Sequence, residues 1–362
     1  AAGVVGLDDE AAIGPAEVAL VLLSCFVLAA FITSFALWFR LLRSGRTPLG
    51  QHPLIANRWR ERPFWNAFDF VVMLGVLMLA SNVMSLVFVS LGWVDSPLKG
   101  DAEPDAEPTM TIGALAVSSI ATLLAAVGTL GLLRLRTSNV LSQIGLVPSS
   151  DATWKSLLLL GLKSALLLLP PTMLMMAGVS AFQEYSHPVL DALMTEGENA
   201  TPDYGVFALL FFTTAIVAPL VEEFWFRGLL QGGLQRWADG TGSPPVPERA
   251  VAEAMPPIPD SSAGSTETLN PYQPSPLEST VSPPAPTQPS WQPAAIWPMV
   301  VASLVFAVMH WGQGLAPIPL FFFSLGLGYL YRQTGSLIPC IVVHFVLNGL
   351  TMTVTLLELL RG

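Results

Sequence analysis

Few side chains in this sequence can move a proton within an apolar stretch, and they fall in three short clusters: Glu222-Glu223 with Arg227, Phe306 with His310, and His344 with Asn348. An ionisable group inside a membrane span costs about 2.5 to 3.5 kcal/mol, so each is a functional candidate. Glu223 and Arg227 are four residues apart, about 40° on an α-helix and within reach of a salt bridge, which marks them as a structural pair. Glu222 lies about 100° round the same helix and must point elsewhere, where a carboxylate without that partner suits a general base. His344 and Asn348 are also four apart, so both project to one side of their helix as two hydrogen-bond donors. Taken one by one, the clusters have plainer readings: a helix-end charge group, a hydrogen-bonded packing histidine and an interhelical polar clamp. Hairpin geometry favours the chemical reading. If the helix carrying Glu222 runs to Trp237 and the next starts near Ile296, Glu222 lies 15 residues before one end and His310 14 after the other. Antiparallel packing then sets them level.

Other chemistries are excluded. There is no Gly-x-Ser-x-Gly elbow and no His-Glu-x-x-His zinc motif. Cys25 and Cys340 lie in apolar runs, where a thiol behaves as a small hydrophobe, and no zinc-type cysteine spacing exists. Of the 362 residues, 52% are hydrophobic and 12% charged, against about a quarter charged in soluble domains. The chain is therefore an integral membrane protein, and a net charge of −10 leaves no phosphate-seeking surface for nucleic acid.

The elements that must carry the clusters are apolar spans, so the fold class is an all-α polytopic membrane bundle of about eight helices. Four fall at Val18 to Phe39, Phe70 to Val94, Thr109 to Leu133 and Ser156 to Gln183, the last interrupted by Pro170-Pro171, which should kink or break it. A fifth opens at Tyr204 and runs into the acidic pair. The stretch from Trp291 to Tyr331 is 41 residues, too long for one crossing, and Gly312, Gly314, Pro317 and Pro319 divide it into a sixth and seventh. The eighth is Leu337 to Leu357. Placing the arginine-rich first loop inside puts fourteen of the sixteen lysines and arginines on the cytoplasmic side, with both termini external and an acidic N-terminus. Residues 1–205 thus form a four-span region, and 206–357 a second region interrupted at 240–293. That segment holds 14 of the 31 prolines and cannot bury a core, so it should be a disordered cytoplasmic loop, with docking of an SH3-like partner as its alternative use.

Together, Glu222-Glu223-x-x-x-Arg227, Phe306-x-x-x-His310 and His344-x-x-x-Asn348 resemble the three motifs of the CPBP family, the Abi or type II CAAX prenyl endopeptidase family of intramembrane proteases. Phe-Arg-Gly after the acidic pair and Arg-Gln-Thr-Gly-Ser-Leu before the last histidine helix strengthen the likeness, which covers roughly Val206 to Leu357. The proline-rich insert departs from it. The resemblance implies a polar cavity opening toward the cytoplasmic half, where Glu222 and His310 activate a water for attack on a peptide carbonyl and His344 and Asn348 stabilise the oxyanion. Glu223, Arg227 and Phe306 complete the motifs. It implies a peptide or lipidated protein C-terminus as substrate, among membrane lipids, with no nucleic acid, and a bacterial plasma membrane is the expected location. No cofactor is expected. The alternative is a catalytic zinc held by Glu222, His310 and His344. A non-catalytic immunity-like or scaffold protein that docks through the insert, and a proton pathway, are the competing function classes.

Overall fold

The computed structural model describes residues 14–50, 52–94, 112–183, 204–240 and 291–361, which are helical with no strand among them. The helices are α1 (Pro15–Arg43), α2 (Ala67–Ser90), α3 (Ile112–Arg134), the single turn α4 (Val140–Gln143), α5 (Trp154–Ser180), α6 (Tyr204–Ala238), α7 (Trp297–Val308), α8 (Pro317–Thr334) and α9 (Ile338–Arg361). Six of them, α1, α2, α3, α5, α6 and α9, are long and apolar enough to cross a membrane. Phe35 of α1 is 77% exposed and Leu86 of α2 72%, a surface that only lipid can cover without a large hydrophobic cost. With the short apolar α7 and with α8, eight helices longer than a single turn are present among the described residues, consistent with the expected number.

The two inner members differ in length from the rest. α7 has 12 residues and α8 has 18, about 18 and 27 Å against a hydrocarbon core of about 30 Å. They pack as a hairpin, and its tip, residues 309–316, carries His310 and Gln313 into an internal cavity. Irregular backbone at such depth is tolerated where it lines a polar cavity instead of facing lipid. Small residues let the hairpin approach its neighbours: a Cβ on Gly326 would meet Leu168 of α5, and one on Gly328 would meet Met299 and Gln231. Gln231 Nε2 donates to the Gly328 carbonyl at 2.8 Å across this contact.

Arg60, Arg62, Arg236 and Arg332 gather at one end of the bundle. Arg60 donates to the last carbonyls of α8, Tyr331 and Arg332, at 3.1 Å each, and its guanidinium packs over the rings of Trp291 and Tyr331. Burial lowers its pKa to about 10, so it remains a cation at neutral pH. The α8 C-cap, Gly335, has φ +66°, and a Cβ there would strike Arg60, so glycine is required twice over. Trp65, fully buried in the same loop, donates its indole N–H to the Gly228 carbonyl at 2.9 Å and plugs this end of α6.

Proline explains two of the cross-helix bonds. Pro170 and Pro171 do not break α5, which runs on to Ser180, contrary to the stronger form of the sequence expectation. Pro171 cannot donate to Leu167 four residues back, and Trp38 of α1 does so instead, Nε1 to O at 2.9 Å. Neighbouring helices thus satisfy the backbone groups that proline frees, which is what allows proline inside a membrane helix.

The proline-rich stretch at 240–293 lies, apart from its ends, outside the described residues, and with it the expectation of disorder. Its two ends are clamped together. Asp239 accepts from the backbone N–H of Ala295 at 2.9 Å and of Ala294 at 3.3 Å, while Arg332 donates to the carbonyls of Pro293, Ala294 and Ala295. α6 and α7 are therefore closed onto each other independently of what connects them. Replacing residues 241–290 with a linker of about six Gly and Ser residues should not lower the thermal midpoint and should leave any turnover unchanged, because the shorter loop costs less closure entropy, by about 2 kcal/mol. A large loss of stability in thermofluor measurements would contradict this.

Candidate active site

Two stretches of α6, Thr213–Val217 and Glu223–Gln231, are wound as π-helix. The Ala218 N–H bonds the Thr213 carbonyl five residues back, and the Gly232 N–H bonds that of Arg227. A turn closed at i→i+5 holds more residues than an α-turn, so adjacent side chains are fanned less widely. Both glutamates consequently face the same neighbouring helix, α9. Glu222 does not share Arg227 with Glu223 and opens to the cavity, yet both carboxylates reach His344, one at each ring nitrogen.

Glu223 and Arg227 are completely buried, with Nε and Oε2 3.2 Å apart. The pairing is as the four-residue spacing requires, but Glu223 has a second partner. Its Oε1 lies 2.8 Å from Nδ1 of His344, a histidine 4% exposed, so the ring donates Nδ1–H to the carboxylate. Nε2 of the same ring lies 3.8 Å from Oε2 of Glu222, whose side chain is 25% exposed. His344 thus stands between two carboxylates, one buried and neutralised by Arg227, the other open to the cavity.

Phe306 organises the histidines. It is fully buried, with Arg227 4.9 Å over its ring, and its centroid lies 4.8 Å from the ring of His310 and 5.9 Å from that of His344. His310 lies beyond the end of α7, in the hairpin tip, yet its Nδ1 is 2.8 Å from the Phe306 carbonyl, an orphan of the helix C-terminus. With Nδ1–H donated there, Nε2 is the free acceptor.

Asn348 has a backbone partner that no sequence spacing reveals. Its Nδ2 donates to the Thr214 carbonyl at 2.8 Å. In the i→i+5 pattern of this turn the donor to Thr214 would be residue 219, which is proline. Asn348 therefore fills the vacancy that Pro219 leaves, and this fixes its amide with a second N–H still to spare.

Glu222, His310, His344 and Asn348 all line one cavity of about 410 Å³. Glu223, Arg227 and Phe306 lie behind it, holding the groups in front. Three contributors are not apparent from sequence: Trp225, one turn below Glu222 with its indole N–H buried and unpartnered; Gln313 in the hairpin tip; and Ser118, Ser119 and Thr122 from α3. Tryptophan and hydroxyl residues are ordinary in apolar helices and carry no signal by themselves.

Among the described residues no group of three or more His, Cys, Asp or Glu side chains stands close enough to hold a metal ion. The Nδ1–carboxylate bond of His344 is of the kind that orients a metal ligand, but Glu222, His310 and His344 do not converge on one point as a zinc set must.

No curated protein and no solved structure matches the chain. The family model for the type II CAAX prenyl endopeptidase, Rce1-like, matches residues 204–252 and 284–350, while the helices before α6 lie outside it. The matched residues take in α6, α7, α8 and the start of α9, and with them every motif side chain of the cluster. The C-terminal region of this chain thus matches the Rce1-like, type II CAAX prenyl endopeptidase family.

Proposed function

We propose that the protein is an intramembrane endopeptidase that hydrolyses a peptide bond in a membrane-proximal or lipidated C-terminal segment, a reading supported by the family description, a type II CAAX prenyl endopeptidase. The observation that carries this reading is the convergence of Glu222, His310, His344 and Asn348 on one cavity. Glu222, the open carboxylate, takes a proton from a water held also by Nε2 of His310, and the water oxygen bonds to the scissile carbonyl carbon. The resulting oxyanion accepts from Nε2–H of His344 and from the spare N–H of Asn348. Collapse breaks the C–N bond, and Glu222 returns its proton to the leaving amine. With both glutamates ionised, Arg227 supplies one positive charge, and the cluster is neutral only when His344 carries the other. That charge balance suits an oxyanion donor in a site of low dielectric.

In the proposed orientation the arginine-bearing end of the bundle faces the cytoplasm, both termini are external, and the 240–293 segment is cytoplasmic. Residues 206–357, less that segment, are the catalytic unit.

The mechanism is metal-free, and two measurements on purified enzyme in detergent test it. Chelators should leave turnover unchanged, and a reversible loss restored by zinc would overturn the glutamate mechanism. Asn348→Ala should lower kcat by about 10² to 10³ with KM nearly constant, as when an oxyanion donor is removed. Unchanged kcat in that variant would return Asn348 to its bond with Thr214 and nothing more.

A further inference from the structure

The cavity is larger than the four catalytic groups require, and its far end is built from a helix outside the family match. Leu115 of α3 clusters with Phe207 and Leu210 of α6 and Met352 of α9, and Leu115, Leu210 and Met352 line the cavity at that end. From Leu210 to Glu222 is 12 residues along α6, and from His344 to Met352 is 8 along α9. The cavity therefore runs about 12 to 18 Å parallel to the helix axes, away from the catalytic groups and toward the start of α6, which in the proposed orientation is the external half and not the cytoplasmic half that the family resemblance implies. An extended peptide rises about 3.3 Å per residue, so four to five residues fill this length.

The α3 wall of this trough is polar. Ser118, which is exposed, and the half-buried Ser119 and Thr122 line it, and none of their hydroxyls bonds another described residue. Thr129, two turns further along the same helix, behaves as hydroxyls in apolar helices commonly do, bonding back to the Ala125 carbonyl at 2.7 Å. Free hydroxyls in a membrane-depth cavity cost energy unless an occupant bonds them, and a hydrocarbon chain cannot. A peptide backbone can. Positions i and i+4 on a helix are about 6.0 Å apart along the axis, and same-side groups of an extended chain recur at about 6.6 Å, so Ser118 and Thr122 match successive backbone groups on one edge of a strand.

We propose that Ser118, Ser119 and Thr122 form a backbone-holding subsite in which about four to five substrate residues lie extended along α3, placing the scissile bond at Glu222. The proposal rests on the endopeptidase reading for its catalytic end, but binding tests it separately. The subsite reads backbone, so side-chain choice is left to the apolar remainder of the trough, including Met176, Val217 and Leu347.

The test uses the whole 362-residue chain carrying Glu222→Gln, which slows turnover enough for binding to be read, and a fluorophore-labelled peptide ending in a CAAX tetrapeptide, with and without its prenyl group. Adding Ser118→Ala, Ser119→Ala and Thr122→Val together should weaken binding of both peptides by about 10- to 100-fold, the value of one to three lost hydrogen bonds. Thr122→Ser alone should retain affinity, and Thr129→Val, at a hydroxyl already bonded within its helix, should not change it. An ester in place of one amide of the peptide should bind the parent more weakly and the triple variant equally. Equal affinity of parent and triple variant, a loss confined to the prenylated peptide, or no binding of either up to millimolar concentration overturns the subsite. If binding behaves as expected but enzyme with Glu222 intact cleaves neither peptide, the subsite stands and the endopeptidase reading falls.

Discussion

Glu222→Gln is expected to lower kcat by about 10² to 10⁴ while KM stays within a few-fold, because the change removes a proton acceptor and almost nothing else. The amide keeps the shape of the carboxylate, and the Glu222 side chain is only partly buried, so neither packing nor the ion pair behind it is disturbed. Substrate affinity resides in the trough and should survive. Single-turnover cleavage of a membrane-embedded peptide separates this loss from slow product release. His310→Ala provides the comparison: it removes the second acceptor for the same water but leaves Glu222, so its loss should be smaller, and the double variant should be little worse than Glu222→Gln alone. Full activity of Glu222→Gln would remove Glu222 as the base, and a loss expressed wholly in KM would make it a binding group.

Much of this arrangement is legible in the order of residues alone. The scarcity of charge marks the membrane class, the 3.6-residue period places Glu223 beside Arg227, and the hairpin count sets Glu222 level with His310. Part of what is not legible there comes from the departure of α6 from α-geometry. Glu222 ends an α-helical segment and Glu223 opens a π-helical one, and both reach His344, a change of winding that sequence periodicity does not anticipate. Pro219 is the available signal. A proline in mid-span orphans a carbonyl, and an asparagine on a neighbouring helix is a natural donor, yet nothing local says which carbonyl or which helix. Trp38 and Pro171 repeat the same logic. The α3 hydroxyls are equally hidden. Serines are common in apolar helices, and only the packing of α3 along residues 204–222 brings these to the cavity.

Arg227 and Glu223 allow fold and chemistry to be separated. Arg227→Met alone leaves the Glu223 carboxylate fully buried beside a single histidine, and breaking a buried pair in this way should cost about 3 to 5 kcal/mol of stability. Removing both charges is different, since a buried pair replaced by apolar residues of similar volume is often neutral in stability. Two double variants then share a fold but differ in one hydrogen bond. Glu223→Gln with Arg227→Met keeps an oxygen that accepts Nδ1–H of His344, whereas Glu223→Leu with Arg227→Met leaves the ring without a partner. Both should denature close to the parent midpoint, well above Arg227→Met alone. Turnover should divide them: the leucine variant should lose about 10² in kcat relative to the glutamine variant, the scale of a misplacement of about 1 Å at a catalytic group. KM should not follow, because neither residue lines the cavity. If the two doubles turn over alike, Glu223 serves the fold only, and His344 owes its position to Phe306 and Phe323, whose rings stand 5.9 and 5.6 Å from it.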